Sequence, residues 1–147
     1  MTAAMTVYRR LKTSDIPAMI DLWKKSGLPI REKTRESPSA LRAEMKSSPQ
    51  NFIGAFDGQE LVGLVLATSD GRKGWINRLA IEPSHRRRGI GLGLIREAEE
   101  ELVSRGIKIV SGLIEKGNDV SFALFRKAGY EIREDIIYVR KELVEDA

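Results

Sequence analysis

The spacing of apolar residues along the chain changes between a period of two and a period of about 3.6, and this predicts alternating strands and helices. Residues 7–11 alternate weakly and predict a first strand. Apolar residues between Asp15 and Gly27 recur at helical spacing, with a start signal before them and a glycine stop after them. A polar loop over 28–36 follows, and Pro38 opens a second helix with a thin apolar stripe.

The middle of the chain predicts three antiparallel strands. Residues 51–56 and 60–67 are apolar runs joined by Asp57-Gly58, a dipeptide typical of hairpin turns. The second run is continuously apolar, which indicates burial on both faces. After a polar turn, residues 75–81 predict the third strand.

A helix–strand–helix succession completes the pattern. A charged amphipathic helix is predicted over 94–103, and it leads to a strand over 107–114. A strand reached through a helix is expected to lie parallel to the strand before it, here 75–81, by a right-handed crossover. Asn118 can cap a last helix over 119–128, and two short strands over 130–133 and 136–141 are expected to end the chain. The order predicts a mixed sheet with helices on both faces.

Length and composition fit one soluble domain spanning residues 1–147. The chain has 41% hydrophobic residues and no cysteine, so neither disorder nor a disulfide scaffold is expected. No apolar run could cross a bilayer, and the first five residues lack the features of a secretory signal, so a cytoplasmic protein without membrane association is expected. The net charge of +4 is modest and aromatic residues make up 6%, which argues against a nucleic-acid partner.

The stretch Arg86–Gly93 carries the candidate chemistry. It joins the strand over 75–81 to the next helix, and the first turn of a helix presents unpaired N–H groups and a positive dipole to an anion. Three arginines precede three glycines there, which suits phosphate oxygens. No Lys-Ser or Lys-Thr follows the glycines, so a P-loop is excluded, and the dinucleotide pattern fails at Leu94.

The pattern Arg86-x-x-Gly89-x-Gly91 resembles the coenzyme A signature of the GCN5-related N-acetyltransferase (GNAT) superfamily. The segment Asn118–Tyr130 resembles a second motif of that family, and the order of elements resembles its fold over nearly the whole chain. The resemblance implies an α+β fold of three α/β/α layers. Its mixed, mostly antiparallel sheet would have about six or seven strands and a central splayed parallel pair.

The resemblance also implies acetyl-CoA as co-substrate, and the lone His85 suits no metal site. The turn would bind the pyrophosphate, and the strand before it would pair with the pantetheine arm. Gly112 and Leu113 would lie across the gap between the splayed strands. The cofactor-binding residues implied are Leu79, Ala80, Ile81, Arg86, Arg87, Arg88, Gly89, Ile90, Gly91, Leu92, Gly93, Asn118 and Phe125. From the residues alone, Asn118 could equally be a helix cap, and Phe125 a core residue.

The usual catalytic acid and base of the family are missing. Asn77 stands where the family often has a glutamate base, and Phe125 where it often has a tyrosine acid. Glu115 and Tyr138 (or Tyr130) are substitute candidates, and catalysis by positioning and backbone polarisation is the other route. The resemblance implies a primary amine acceptor, either a small molecule or a peptide N-terminus, contacted by the loop 28–36, and a homodimer. A non-catalytic acyl-CoA-binding module and a nucleic-acid-binding module are the alternatives.

Overall fold

A computed structural model describes residues 5–147 and shows a single mixed sheet with helices on both faces. Residues 1–4, on which part of the expectation about a secretory signal rests, lie outside the described part. In chain order the elements are β1 (Thr6–Arg10), α1 (Ile16–Ser26), α2 (Pro38–Ser47), β2 (Phe52–Asp57), β3 (Glu60–Ser69), β4 (Gly74–Ile81), α3 (Ile90–Ser104), β5 (Val110–Gly112) and α4 (Asp119–Lys127). Short 3₁₀ turns cover Thr13–Asp15, Pro49–Asn51 and Pro83–His85. No helix between residues 5 and 147 is long and apolar enough to cross a membrane.

The sheet follows the chain order, β1-β2-β3-β4-β5. Neighbouring strands are antiparallel except β4 and β5, which are parallel, as the helical crossover through α3 predicts. Two predicted helix ends are also confirmed, the start of α2 and the end of α1. The Ser37 hydroxyl accepts a hydrogen bond from the Ala40 amide at 3.1 Å, and Gly27 ends α1 in the left-handed conformation with φ of 83°.

Two apolar cores lie on opposite faces of the sheet, and β3 contributes to both. Its residues Leu61, Leu64 and Leu66 pack against α1 and α2, while Val62, Val65 and Ala67 pack against α3 and α4. This confirms that its unbroken apolar run reflects burial on both faces. The sheet is therefore fixed from both sides at β3, next to the strand that leads into the arginine-rich turn.

The two strands predicted after α4 are wrong, and the sheet has five strands rather than six or seven. Residues 136–139 are β-branched or aromatic, yet they are exposed, with Ile137 at 83% and Val139 at 84%. Strand propensity describes how a residue fits a paired, half-buried surface, and this segment has no paired neighbour. The strand predicted over 107–114 is also shorter, because only Val110–Gly112 pairs with β4.

Candidate active site

The turn between β4 and α3 presents free backbone donors. Gly89 precedes the helix with φ of 79°, and no atom lies within 4 Å of where its Cβ would be. Arg87 is also left-handed, with φ of 63°. The helix begins at Ile90, four residues earlier than predicted, so Gly91 and Gly93 lie inside it.

Three amides at the start of α3 are open to a ligand. Those of Ile90, Gly91 and Leu92 have no hydrogen-bond acceptor within residues 5–147, as expected for a first helical turn. The Gly93 amide donates to the Gly89 carbonyl at 3.0 Å, so it already has an acceptor within the first turn of α3. The backbone amides free to bind a ligand therefore end at Leu92, although the glycine pattern extends to Gly93.

The three arginines of the arginine–glycine turn (Arg86–Gly89) are exposed. Within the described part of the chain, no carboxylate lies close enough to form an ion pair with any of them. Cations near a helix N-terminus oppose the helix dipole. A bound anion would remove this unfavourable interaction, so the charge distribution of the turn suits a polyanionic ligand.

Gly91 and Gly93 lie against side chains of neighbouring elements, so a Cβ at either position would displace a neighbour. A Cβ on Gly91 would lie 2.8 Å from Cδ2 of Leu124, a residue of α4. A Cβ on Gly93 would overlap the hydroxyl of Tyr8 on β1. Of these three glycines, Gly89 is the one that combines a left-handed backbone with open space, so a ligand could lie against it.

An open strand edge lies beside the turn, where the parallel strands separate. β4 and β5 pair only from Gly74 to Ile76 on one side and from Val110 to Gly112 on the other. β4 continues to Ile81, bonded there only to β3 through pairs such as Leu64–Ala80. The parallel pair was expected at the centre of the sheet, but it lies at one edge, where β4 and β5 separate after Ile76 and Gly112. The backbone of Leu79–Ile81 is left facing the gap and can accept an extended, amide-bearing arm.

Asn118 and Phe125 both have structural roles. The Asn118 side-chain oxygen accepts a hydrogen bond from the Ser121 amide at 3.2 Å and caps α4. Phe125 is 5% exposed, packs edge-to-face on Tyr130 with ring centroids 5.1 Å apart, and lies near Gly112 of β5. It therefore lines the inner end of the gap between β4 and β5 as part of the core.

The opposite side of β4 carries polar groups. A bulge occurs where Asn77 pairs with Leu66 and Ala80 pairs with Leu64. The Asn77 amide donates to the Thr68 hydroxyl at 3.0 Å, which fixes its orientation. Arg78 follows it with φ of 55°, and its guanidinium lies over the Trp23 ring on the α1–α2 side. Sequence reasoning missed Arg78, although a charged residue inside an apolar strand is a detectable signal.

The substitute catalytic candidates are not brought together. Glu115 is exposed in the loop after β5, and Tyr138 is 63% exposed in the C-terminal segment. Neither side chain makes a hydrogen bond within residues 5–147. The Tyr130 hydroxyl donates to Glu99 at 2.6 Å, and burial, reinforced by that carboxylate, raises the pKa of Tyr130. Tyr130 is thus tied to α3.

The His85 side chain lies between two carboxylates of different elements. It is 12% exposed, with Nδ1 at 3.1 Å from the Glu82 carboxylate and Nε2 at 3.1 Å from the Asp57 carboxylate. The hydrogen bonds to Glu82, and then to Asp57, raise the pKa of His85. His85 directly precedes the arginine–glycine turn, so its contact with Asp57 holds the start of that turn against the end of β2. Asp57 is 28 positions away, so no local pattern could reveal this contact.

Solved structures share this fold. The PaiA N-acetyltransferase of Thermoplasma acidophilum, solved in complex with coenzyme A, superposes with a TM-score of 0.78 at 24% identity, covering 88% of this chain and 91% of that one. AAC(6')-Iy, solved in complex with the bisubstrate analogue CoA-S-monomethyl-acetylneamine, superposes with a TM-score of 0.75 at 18% identity, covering 94% of this chain and 99% of that one. The chain has the acetyltransferase fold.

Sequence comparison gives the family. The model of the Acetyltransferase (GNAT) family matches residues 16–130, so the chain belongs to that family. Acetyltransferase ECA0875 of Pectobacterium atrosepticum is 29% identical over 138 residues, which are 94% of this chain and 96% of that protein. The predicted family and enzyme class are confirmed: the chain is an N-acetyltransferase that uses an acyl-CoA donor.

Proposed function

We propose that this enzyme transfers the acetyl group of acetyl-CoA directly to a primary amine, within a complex that holds both substrates. The observation that carries the proposal is the set of three open amides at the start of α3, beside three exposed arginines and the free edge of β4. A diphosphate fits the amides and arginines, and a pantetheine arm fits the edge. The acceptor would be a small amine or a peptide N-terminus.

Asn77, whose side chain lies on the side of β4 that faces β3, favours catalysis by positioning. Acetyl-CoA supplies the activated thioester, the amine attacks its carbonyl carbon, and the thiolate leaves and takes up a proton. Asn77 has no acidic proton to exchange, and its amide is engaged by Thr68, so it can orient a substrate but not deprotonate it. Backbone amides of Leu79–Ile81 would polarise the carbonyl oxygen. Glu115 and Tyr138 stay candidates for proton transfer from exposed positions.

Cofactor binding is tested with coenzyme A, by calorimetry and by thermal unfolding. At a hundredfold excess over Kd, binding should stabilise the fold by about 2.7 kcal/mol. Arg87→Gly should weaken binding without straining the backbone, because glycine accepts the left-handed φ of 63° at this position. Arg72→Ala, which removes an exposed arginine from the turn before β4, is the matched control and should bind normally.

Turnover is tested with a panel of amino sugars, polyamines and dipeptides, using acetyl-CoA and detection of the released thiol. Release that depends on the amine supports the proposal and identifies the acceptor. Binding of coenzyme A without turnover of any amine would favour the non-catalytic alternative. Absence of binding at millimolar coenzyme A would defeat the proposal.

A further inference from the structure

Arg78 has a backbone conformation that arginine rarely adopts. Its φ of 55° places it in the left-handed region, in the bulge of β4. For a residue with a side chain this conformation is unfavourable, and it persists only where the surroundings enforce it. The neighbouring bulge residues Asn77 and Leu79 do not have positive φ, so the left-handed conformation is confined to Arg78 within this bulge.

The side chain of Arg78 connects the sheet to the acceptor loop (residues 28–36), which joins α1 to α2. Its Nη1 donates to the Pro29 carbonyl at 2.7 Å, and Nη2 lies 3.5 Å from Oε1 of Glu36. The guanidinium carbon is 4.8 Å from the centroid of the Trp23 ring, whose N–H donates to the Arg78 carbonyl at 3.4 Å. Arg78 therefore contacts both ends of the loop and the helix before it.

Glu36 closes the acceptor loop on itself. Its carboxylate accepts a hydrogen bond from the Arg31 amide at 3.1 Å, and its own amide donates to the Arg31 carbonyl at 2.9 Å. The Glu36 side chain is 12% exposed and that of Arg78 is 24% exposed. The closed loop is thus joined to β4 through a largely buried pair of opposite charges.

The contact between Arg78 and the acceptor loop contributes little to the stability of the fold. Nη2 of Arg78 forms an ion pair with Glu36 at 3.5 Å, but neither it nor the buried Nε makes a hydrogen bond in the described part of the chain. Burial also lowers the pKa of this guanidinium. Buried donors without acceptors and a left-handed backbone both oppose folding. An arginine retained under these conditions is better explained by what it holds in place than by the stability it provides.

We propose that Arg78 is a positioning residue that holds the acceptor loop against β4 and so sets the wall of the amine site. This inference rests on the proposed function for the identity of that site. Arg78 adjoins Asn77 and lies one residue before the free edge of Leu79–Ile81. A loop fastened at this point stays at a fixed distance from the strand along which the acetyl group would lie.

The test measures the loop and the reaction separately. Hydrogen exchange of peptides covering the acceptor loop reports its protection, which includes the Thr34 and Glu36 amides bonded to Arg31. In Arg78→Gly these amides should exchange at least about tenfold faster, while those of β3 stay protected. Glycine relieves the left-handed backbone, so this variant should fold. Arg78→Lys should restore protection only in part, because lysine lacks the planar fork. Arg72→Ala is the matched control.

Steady-state kinetics are measured with the amine of the panel that the wild-type enzyme acetylates best. Arg78→Gly should raise KM for the amine and lower kcat/KM about 10- to 100-fold, with KM for acetyl-CoA and the affinity for coenzyme A unchanged. Unchanged loop exchange in Arg78→Gly would overturn the inference, and so would an equal loss for both substrates. If the wild-type protein fails to bind coenzyme A, the proposed function fails. Hydrogen exchange of the acceptor loop would then still show whether Arg78 holds the loop in place. Unchanged exchange in Arg78→Gly would overturn that part of the inference as well.

Discussion

His85 is held between two carboxylates on different elements, and this makes its contribution to stability depend on pH. The ring lies 3.1 Å from both Glu82 and Asp57, with Arg88 and Glu60 as the more distant charges that act on it. Its pKa is raised in the folded protein, because the bonds to Glu82 and Asp57 favour the protonated ring. This stabilisation is complete below the unfolded pKa of about 6.5 and is lost as pH rises through the folded value.

We therefore expect His85→Gln to lower the Tm more at about pH 6 than at about pH 9. Thermal unfolding of both proteins across this range is the measurement. Because the ring fastens the residue before the arginine–glycine turn, the variant should also bind coenzyme A more weakly at the lower pH. Parallel Tm curves for the two proteins would show that the carboxylates do not hold a charged ring.

Residues differ in how far the sequence reveals their roles. Asn118 was predicted as a helix cap or a cofactor contact, and its cap is visible because capping is local in sequence. His85 and Arg78 depend on partners 28 and 49 positions away, Asp57 and Pro29. Local patterns carry no information about such contacts. The same holds for Tyr8, which gives Gly93 its packing role.

At the scale of elements, the start of α3 separates packing from binding. Replacing Gly93 with alanine would favour the helix by about 1 kcal/mol, but the new Cβ overlaps Tyr8, and overpacking costs about 1–3 kcal/mol. We expect Gly93→Ala to destabilise the protein while its affinity for coenzyme A is unchanged, because the Gly93 amide is already used within the turn of α3. Arg87→Gly should instead lower the affinity for coenzyme A without destabilising the protein.

The free energy of unfolding is measured in urea for four proteins: wild type, Gly93→Ala, Tyr8→Ala and the double variant. In the Tyr8→Ala background the added methyl has room, so alanine at position 93 should become neutral or stabilising. A loss of coenzyme A affinity in Gly93→Ala at unchanged stability would instead place Gly93 at the ligand.

Elements with strong local signals were predicted well, and elements that depend on pairing were not. The helices α1, α2 and α4 carry caps or stops that the sequence displays, and β3 carries an unbroken apolar run. The segment 136–141 has the residues of a strand, but a strand also needs a neighbour whose edge is free and close. The beginning of α3 was placed too late because Gly91 and Gly93 disfavour helices in isolation.

For the whole molecule, the divergence of β5 leaves a place for an extended ligand between two strands of the sheet. β3 is fixed on both sides, whereas β4 loses β5 as a neighbour after Ile76 and keeps only β3 among the strands of the described part. The arginine–glycine turn lies at the end of that opening. A strand order that places a parallel pair at the edge of an otherwise antiparallel sheet therefore brings the anion-binding donors and the free edge together.

Charge at this scale leads to a further prediction. The protein carries a net charge of +4, and the three arginines of the turn are exposed, so attraction of an anionic diphosphate should be screened by salt. The screening length falls from about 10 Å at 0.1 M salt to about 3 Å at 1 M. We expect the Kd for coenzyme A, measured by calorimetry, to rise steadily over this range. The slope should be shallower in Arg87→Gly and should match the wild type in Arg72→Ala. If Arg72→Ala flattened the dependence as much as Arg87→Gly, the attraction would come from the overall charge of the protein and not from the turn.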